Sequence, residues 1–195
     1  MARPSGRPIR NELIESAMHL IQRVGVNGFS YGDLAKELGI KAPSIHHHFP
    51  SKEDLVAAVA AEYRQQFKAH VDAIADGPSL DRIRAYGRLF SETAKADRLC
   101  LGGVVSAEWL SVGDKPRREV NDFFSEQQAW IEAQLRTGVD NGEFDIAMPA
   151  HNLATTILAA LEGSMLMTRA GGDSDLPADA GDVIASLIGG PVTAP

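Results

Sequence analysis

One cysteine in 195 residues excludes an intrachain disulfide and any multi-cysteine zinc or iron-sulfur site. Packing alone must hold the fold. No stretch approaches about 18 consecutive apolar residues, and the opening Met-Ala-Arg-Pro-Ser-Gly-Arg-Pro has no apolar signal region. The chain therefore reads as cytoplasmic and soluble, with no membrane partner. No segment alternates apolar and polar residues long enough for a strand, which leaves an all-α class. Also missing are an internal repeat, a glycine-rich phosphate loop, a His-x-x-x-His pair and a nucleophile elbow. At 20.9 kDa the chain suits one ordinary domain or two small ones, and is too short for a large enzyme barrel.

A surplus of positive charge is lacking too: the formal net charge is -7. A protein that coats nucleic acid would need the opposite balance, because phosphate binding draws on lysine and arginine. The distribution along the chain changes that picture. Residues 1–50 hold six basic against four acidic residues, a formal +2, which leaves -9 for the remainder. A small basic head precedes an acidic body.

Helical periodicity fills the chain. Ile9 to Val24 places apolar residues at spacings of three and four, and Gly25 and Gly28 stop it. Ser30 with Asp33 three residues on reads as a capping pair for a second helix ending at Gly39. A short third helix runs from Pro43 to about Phe49, with proline where its missing amide hydrogen was never needed. Lys52 to Ala75 is a long connecting helix. Beyond Gly77 and Pro78, Ser79 caps another, followed by helical stretches at 99–112, 117–139 and 149–169. A Gly/Asp/Pro linker at 171–181 precedes a short helix at 182–188 and a tail. The domains expected are 1–50 (with a basic arm at 1–8), a connecting helix at 51–75, a helical body at 76–170 and the remainder at 171–195.

Helix, glycine-containing turn and short helix over Ser30 to Phe49, preceded by an amphipathic helix, form a trihelical unit. Such a unit can press its last helix into a DNA major groove, or can be a small bundle that touches no DNA. The arm has two readings as well. Arg3, Arg7 and Arg10 are either solvent-facing charge or a basic arm reaching the DNA backbone or minor groove. Three consecutive histidines, His46 to His48, do not form a chelating face, since helical neighbours point about 100° apart. No metal and no cofactor are expected.

The stretch Phe29-Ser30-Tyr31-Gly32-Asp33-Leu34-Ala35, continuing through Gly39, Pro43-Ser44-Ile45-His46-His47-His48-Phe49-Pro50 and Ser51-Lys52-Glu53-Asp54-Leu55, resembles the DNA-binding domain of TetR-type (TetR/AcrR) transcriptional regulators. Cys100-Leu101-Gly102-Gly103, Pro116-Arg117 and Leu161-Glu162-Gly163 resemble C-terminal domains found in part of that family. The resemblance implies an N-terminal helix-turn-helix domain followed by an antiparallel helical ligand-binding and dimerisation domain. It implies a homodimer on palindromic or near-palindromic operator DNA, usually a repressor, released by a small molecule.

Carried onto this chain, the resemblance places Lys41, Ala42, Pro43, Ser44, His46 and His47 on the exposed face of the reading helix, with Ile45 and Phe49 inward and His48 partly buried. His46 stands where the family commonly has tyrosine, which shortens the reach at that point. Lys52 matches a phosphate-contacting lysine, and Ser30 or Tyr31 can meet phosphate through hydroxyl or backbone amides. Arg7 and Arg10 join this set. Tyr86, Phe90, Cys100, Val104, Trp109, Phe123, Gln127, Trp130 and Met165 are the pocket candidates, each also an ordinary core candidate. A pocket of this composition suits a mostly apolar ligand. The helices at 117–139 and 149–169 are the dimerisation pair by resemblance. Phe124, Ile131, Leu158 and Leu161 face either a partner or their own core. An activator or a ligand-independent regulator is the alternative function, and a small all-α enzyme the remote third, because the only dense histidine cluster lies on the reading helix.

Overall fold

Nine α-helices and one 3-10 turn are present among the described residues, 9–189, of the protein's computed structural model. The helices are α1 (Ile9–Val24), α2 (Tyr31–Leu38), α3 (Ala42–His48), α4 (Lys52–Asp72), α5 (Ser79–Lys95), α6 (Leu101–Ala107), α7 (Asp114–Asp140), α8 (Ala150–Gly171) and α9 (Leu176–Ile188), with the 3-10 turn at Trp109–Ser111. The all-α expectation holds. The tail beyond 189 and the arm residues Arg3 and Arg7 lie outside the described residues.

The chain divides into two compact units. The first runs to Gln66 and also takes in Leu101–Asn121; the second comprises Phe67–Cys100 and the chain from Asp122 onward. Both α4 and α7 contribute to each unit. The residues 101–121, read in sequence as part of the C-terminal body, thus group with the N-terminal head.

In the first unit, α1 buries Leu13, Ile14, Ala17, Met18 and Ile21, the stripe its spacing requires. Val24 is the exception at 53% exposure. The α1 helix packs against α2 and α6, and α2 against α3. Leu34, Ile45 and Leu55 close this core at 0% exposure. Gly39 ends α2 in the left-handed region at φ 64°, where its missing Cβ avoids the strain another residue would meet. That leaves Lys41 to start α3 in extended conformation, ahead of Pro43 in its first turn.

The second unit is built on α5, α8 and α9 packed on one another. The α9 helix is longer than its composition suggests. Pro177 falls in its first turn, where proline is tolerated, and Gly181 meets Gly87 of α5 so closely that a Cβ on Gly87 would stand 3.2 Å from the Gly181 Cα. The residues that read as a linker are therefore half helix. Ser79 does not cap α5: Pro78 holds the cap position, and the Ser79 N–H donates to Glu143 at 2.7 Å. The α7 helix begins three residues earlier than expected because Pro116 sits in its first turn. The stretch read as one helix at 99–112 is instead α6 plus the 3-10 turn.

Candidate functional site

The head of the molecule is held by side-chain bonds that the sequence spacing allows. Ser30 Oγ accepts from the Asp33 N–H at 3.2 Å, and the Asp33 carboxylate accepts from the Ser30 N–H at 2.8 Å and hydroxyl at 2.6 Å. These bonds hold the Asp33 carboxyl below its ordinary value, the side-chain bond first. The Tyr31 hydroxyl donates to the Phe49 carbonyl at 3.0 Å and the Ser51 carbonyl at 2.6 Å, pinning the start of α2 to the α3–α4 turn. Burial, then the charge of Asp54, pushes this phenol up to about 12. Both hydroxyl protons are thus committed within the protein. Replacing Tyr31 with phenylalanine removes the donor shared by the Phe49 and Ser51 carbonyls, of which Ser51 still accepts the Leu55 N–H at 3.3 Å; the expected cost is about 1–2 kcal/mol, read as a lower melting temperature of the head.

On α3, Ile45 is fully buried and Phe49 nearly so, which turns Lys41, Pro43, His46 and His47 outward, with Ala42, Ser44 and His48 half-buried. The His46 ring meets Tyr31 edge-on at 4.8 Å, and His47 meets His48 at 5.3 Å. Among the described residues no group of three His, Cys, Asp or Glu could hold a metal ion. The Arg10 guanidinium lies 5.2 Å above the Phe49 ring, and Lys52 Nζ lies 4.3 Å from the Phe29 ring while donating to the Phe29 carbonyl. Burial holds the Lys52 ammonium below its ordinary value. Each keeps further N–H donors.

The returning segment is tied to this head by polar contacts. The Asn27 N–H donates to Glu108 at 2.9 Å and its amide to Ser111 at 2.7 Å; Lys115 pairs with Asp54 at 2.6 Å and Arg64 with Glu119 at 3.2 Å. Glu108 also fills the space beside Gly25, where any Cβ would collide with its carboxylate. Exposed pairs of this kind contribute little energy singly and fix position together.

In the second unit, Phe67, Tyr86, Phe90, Phe123 and Trp130 form one aromatic cluster. The Phe67 ring meets Tyr86, Phe90 and Phe123 edge-on at 5.3–6.0 Å, and Tyr86 stacks on Trp130 at 5.2 Å. The buried Tyr86 hydroxyl donates to Gln127 Oε1 at 3.2 Å. Cys100 is buried and hydrogen-bonds the Glu162 carboxyl. Burial pushes that carboxyl up to about 7, and burial first, then the nearby Glu162 and Cys100, raises Tyr86 well above its ordinary value. A thiol enclosed beside a carboxylate is not activated as a nucleophile.

A family model for bacterial regulatory proteins of the tetR family matches residues 13–59, and one for the tetracyclin repressor-like C-terminal domain matches residues 79–184. The chain belongs to the TetR family. A TetR-family regulator from Agrobacterium tumefaciens superposes with a TM-score of 0.88 at 30% identity, over 92% of this chain and 96% of that one. The transcriptional regulator EthR of Mycobacterium tuberculosis is 27% identical over 184 residues, 90% of this chain and 82% of EthR. The class A tetracycline repressor of Escherichia coli is 28% identical over 165 residues, 85% of this chain and 68% of the repressor.

This TetR protein is accordingly a ligand-responsive, DNA-binding transcriptional regulator and not an enzyme. No helix among its described residues is long and apolar enough to cross a membrane. Of the pocket candidates, Tyr86, Phe90, Phe123, Gln127 and Trp130 come together in the second unit, with Cys100 beside Tyr86. Met165 is buried in that unit too, whereas Val104 and Trp109 lie in the first, where the Arg117 guanidinium covers the Trp109 ring at 5.3 Å. Glu162 is absent from the candidates, although its position in the Leu161-Glu162-Gly163 triplet of α8, between buried Leu161 and Met165, was the available signal. Ile131 and Leu161 are fully buried and Leu158 is 7% exposed, all in their own core, while Phe124 is half-buried beside Phe123. What α8 exposes instead is Thr155, Thr156, Ala159 and Ala160, then Leu166 and Met167 at 63% and 64%.

Proposed function

We propose that this TetR regulator is a repressor that occupies a two-fold operator as a homodimer and leaves it when a small, mostly apolar effector binds the second unit. The observation that carries the reading is the pairing of an outward-facing α3 surface, Lys41, Pro43, His46 and His47, with an enclosed aromatic cluster elsewhere in the same chain. Base edges are read by the exposed side chains of α3, joined by Ala42 and Ser44; Arg7, Arg10, Lys52 and the main-chain amide of Tyr31 position the head on phosphate, the Ser30 N–H being held by Asp33. Repression rather than activation is favoured by the tetracycline repressor, a repressor by name, among the relatives.

Dimerisation uses the exposed face of α8, where small residues at Ala159 and Ala160 let a two-fold copy approach and Leu166 and Met167 gain burial. Coupling follows from the chain path: α4 and α7 each belong to both units, so a ligand that repacks the second unit acts on helices that also build the head. A coupling of about 1–3 kcal/mol suffices for ligand control. Transcription from an operator-bearing promoter with purified polymerase tests the direction: added protein lowers transcript yield if it represses, and a rise in yield assigns an activator.

A further inference from the structure

Glu162 is a mid-helix carboxylate of α8 whose Oε1 atom is buried and has no hydrogen-bond partner among the described residues. A buried acceptor left unpaired is destabilising, and proteins satisfy nearly all of them. The groups that face this carboxyl are Tyr86 from α5 and the Cys100 thiol from the segment before α6, and neither brings positive charge. Tyr86, which lies beside this carboxyl, stacks in turn on Trp130, whose ring already receives the Arg82 guanidinium at 5.7 Å, so this aromatic pair accepts a cation. An ionisable carboxyl with a buried, open acceptor and an aromatic neighbour together select a ligand. A neutral apolar ligand leaves Oε1 unpaired, and a carboxylate ligand is repelled.

We propose that Glu162 anchors the positively charged end of the effector, so that the ligand of this regulator is a hydrophobic amine bound as its ammonium form, with N–H donated to Glu162 and its apolar body against Tyr86 and Trp130. This rests on the effector-responsive reading above and names the ligand class for it. Because burial raises the carboxyl to about 7, binding of an ammonium displaces the proton it holds. Amine affinity therefore rises about tenfold from pH 6 to pH 8, whereas affinity for a neutral ligand does not follow the same course.

The test is isothermal titration of the full-length dimer with phenylalkylamines carrying one to four methylene groups and with the matched phenylalkanols, at pH 6 and pH 8, alongside operator binding with each compound. At pH 8 at least one amine binds about tenfold or more tighter than its alcohol; the margin shrinks at pH 6, disappears in Glu162→Gln and is retained in part by Glu162→Asp. Circular dichroism of both variants confirms that they fold. Alcohols that bind as tightly as amines, a margin that survives Glu162→Gln, or no binding by any member of the series overturns the proposal. The two readings fail separately. An amine that binds through Glu162 without releasing operator DNA upholds the anchor and removes the release mechanism, while release by an alcohol alone does the reverse.

Discussion

Replacing Lys41 and His47 together with alanine lowers operator affinity by at least about 100-fold, because each lost base-edge or phosphate contact costs about 1–3 kcal/mol and the dimer loses every contact twice. Stability stays within about 0.5 kcal/mol of the parent, since both side chains are exposed and Lys41 makes no side-chain cap bond to α3. The contrast is Ile45→Ala on the opposite face of the same helix. Ile45 has 0% exposure, so its truncation costs about 2–5 kcal/mol and takes folding and DNA binding down together. Fluorescence anisotropy on a labelled operator, paired with thermal melts, separates the two. If the double variant binds as tightly as the parent, α3 is not the reading helix.

Glu162→Gln stabilises the protein by up to about 3 kcal/mol at pH 8 and removes a pH dependence that the parent shows between about pH 4.5 and 7. Below pH 4.5 the folded and unfolded chains both hold the proton, and ionisation of this carboxyl costs nothing. As pH rises from 4.5 to 7 the unfolded chain has released the proton while the folded chain keeps it, so stability falls through this window. Above it the loss is complete and the curve is flat again. Asp33, Asp54 and Glu132, whose carboxyls are held below their ordinary values, act at lower pH, and Tyr31, at about 12, acts far above. Urea unfolding at half-unit steps of pH measures the profile; a parent and variant with parallel curves would show that Glu162 ionises as freely in the fold as outside it.

The head was the legible part of this sequence, and the reason is local. Ser30 and Asp33 cap α2 through bonds three residues apart, Gly39 ends it with a left-handed turn, and Pro43 starts α3, so the signals and the structure they specify lie in the same short segment. The second unit hides its organisation in contacts distant along the chain. The α9 helix reads as linker because its glycine and proline are breakers in isolation; Gly181 is there for Gly87, some ninety residues away. Glu162 stands in sequence only as the middle of the Leu161-Glu162-Gly163 triplet, and its place beside Tyr86 and Cys100 is visible in the structure alone. Val104 and Trp109 are pocket candidates mainly through the family resemblance, yet the chain returns them to the head, where Asn27 bonds to Glu108 and Ser111 and Lys115 to Asp54. Periodicity locates helices but does not tell which neighbour each one joins.

The overall charge was a poor guide to partners for the same reason. A chain at -7 binds DNA if its cations gather on one small face, and the head gathers Arg10, Lys41 and Lys52 around α3 while acidic residues accumulate elsewhere. An electrostatic contact set this small predicts modest non-specific affinity and leaves discrimination to the side chains of α3.

Unbiased selection of random DNA duplexes by the purified full-length protein tests the central claim most directly. The account predicts an enriched pair of half-sites related by two-fold symmetry, with enrichment lost in the Lys41→Ala/His47→Ala double variant. Recovery of no enriched sequence, or of the same sequence at the same strength by the double variant, would contradict it.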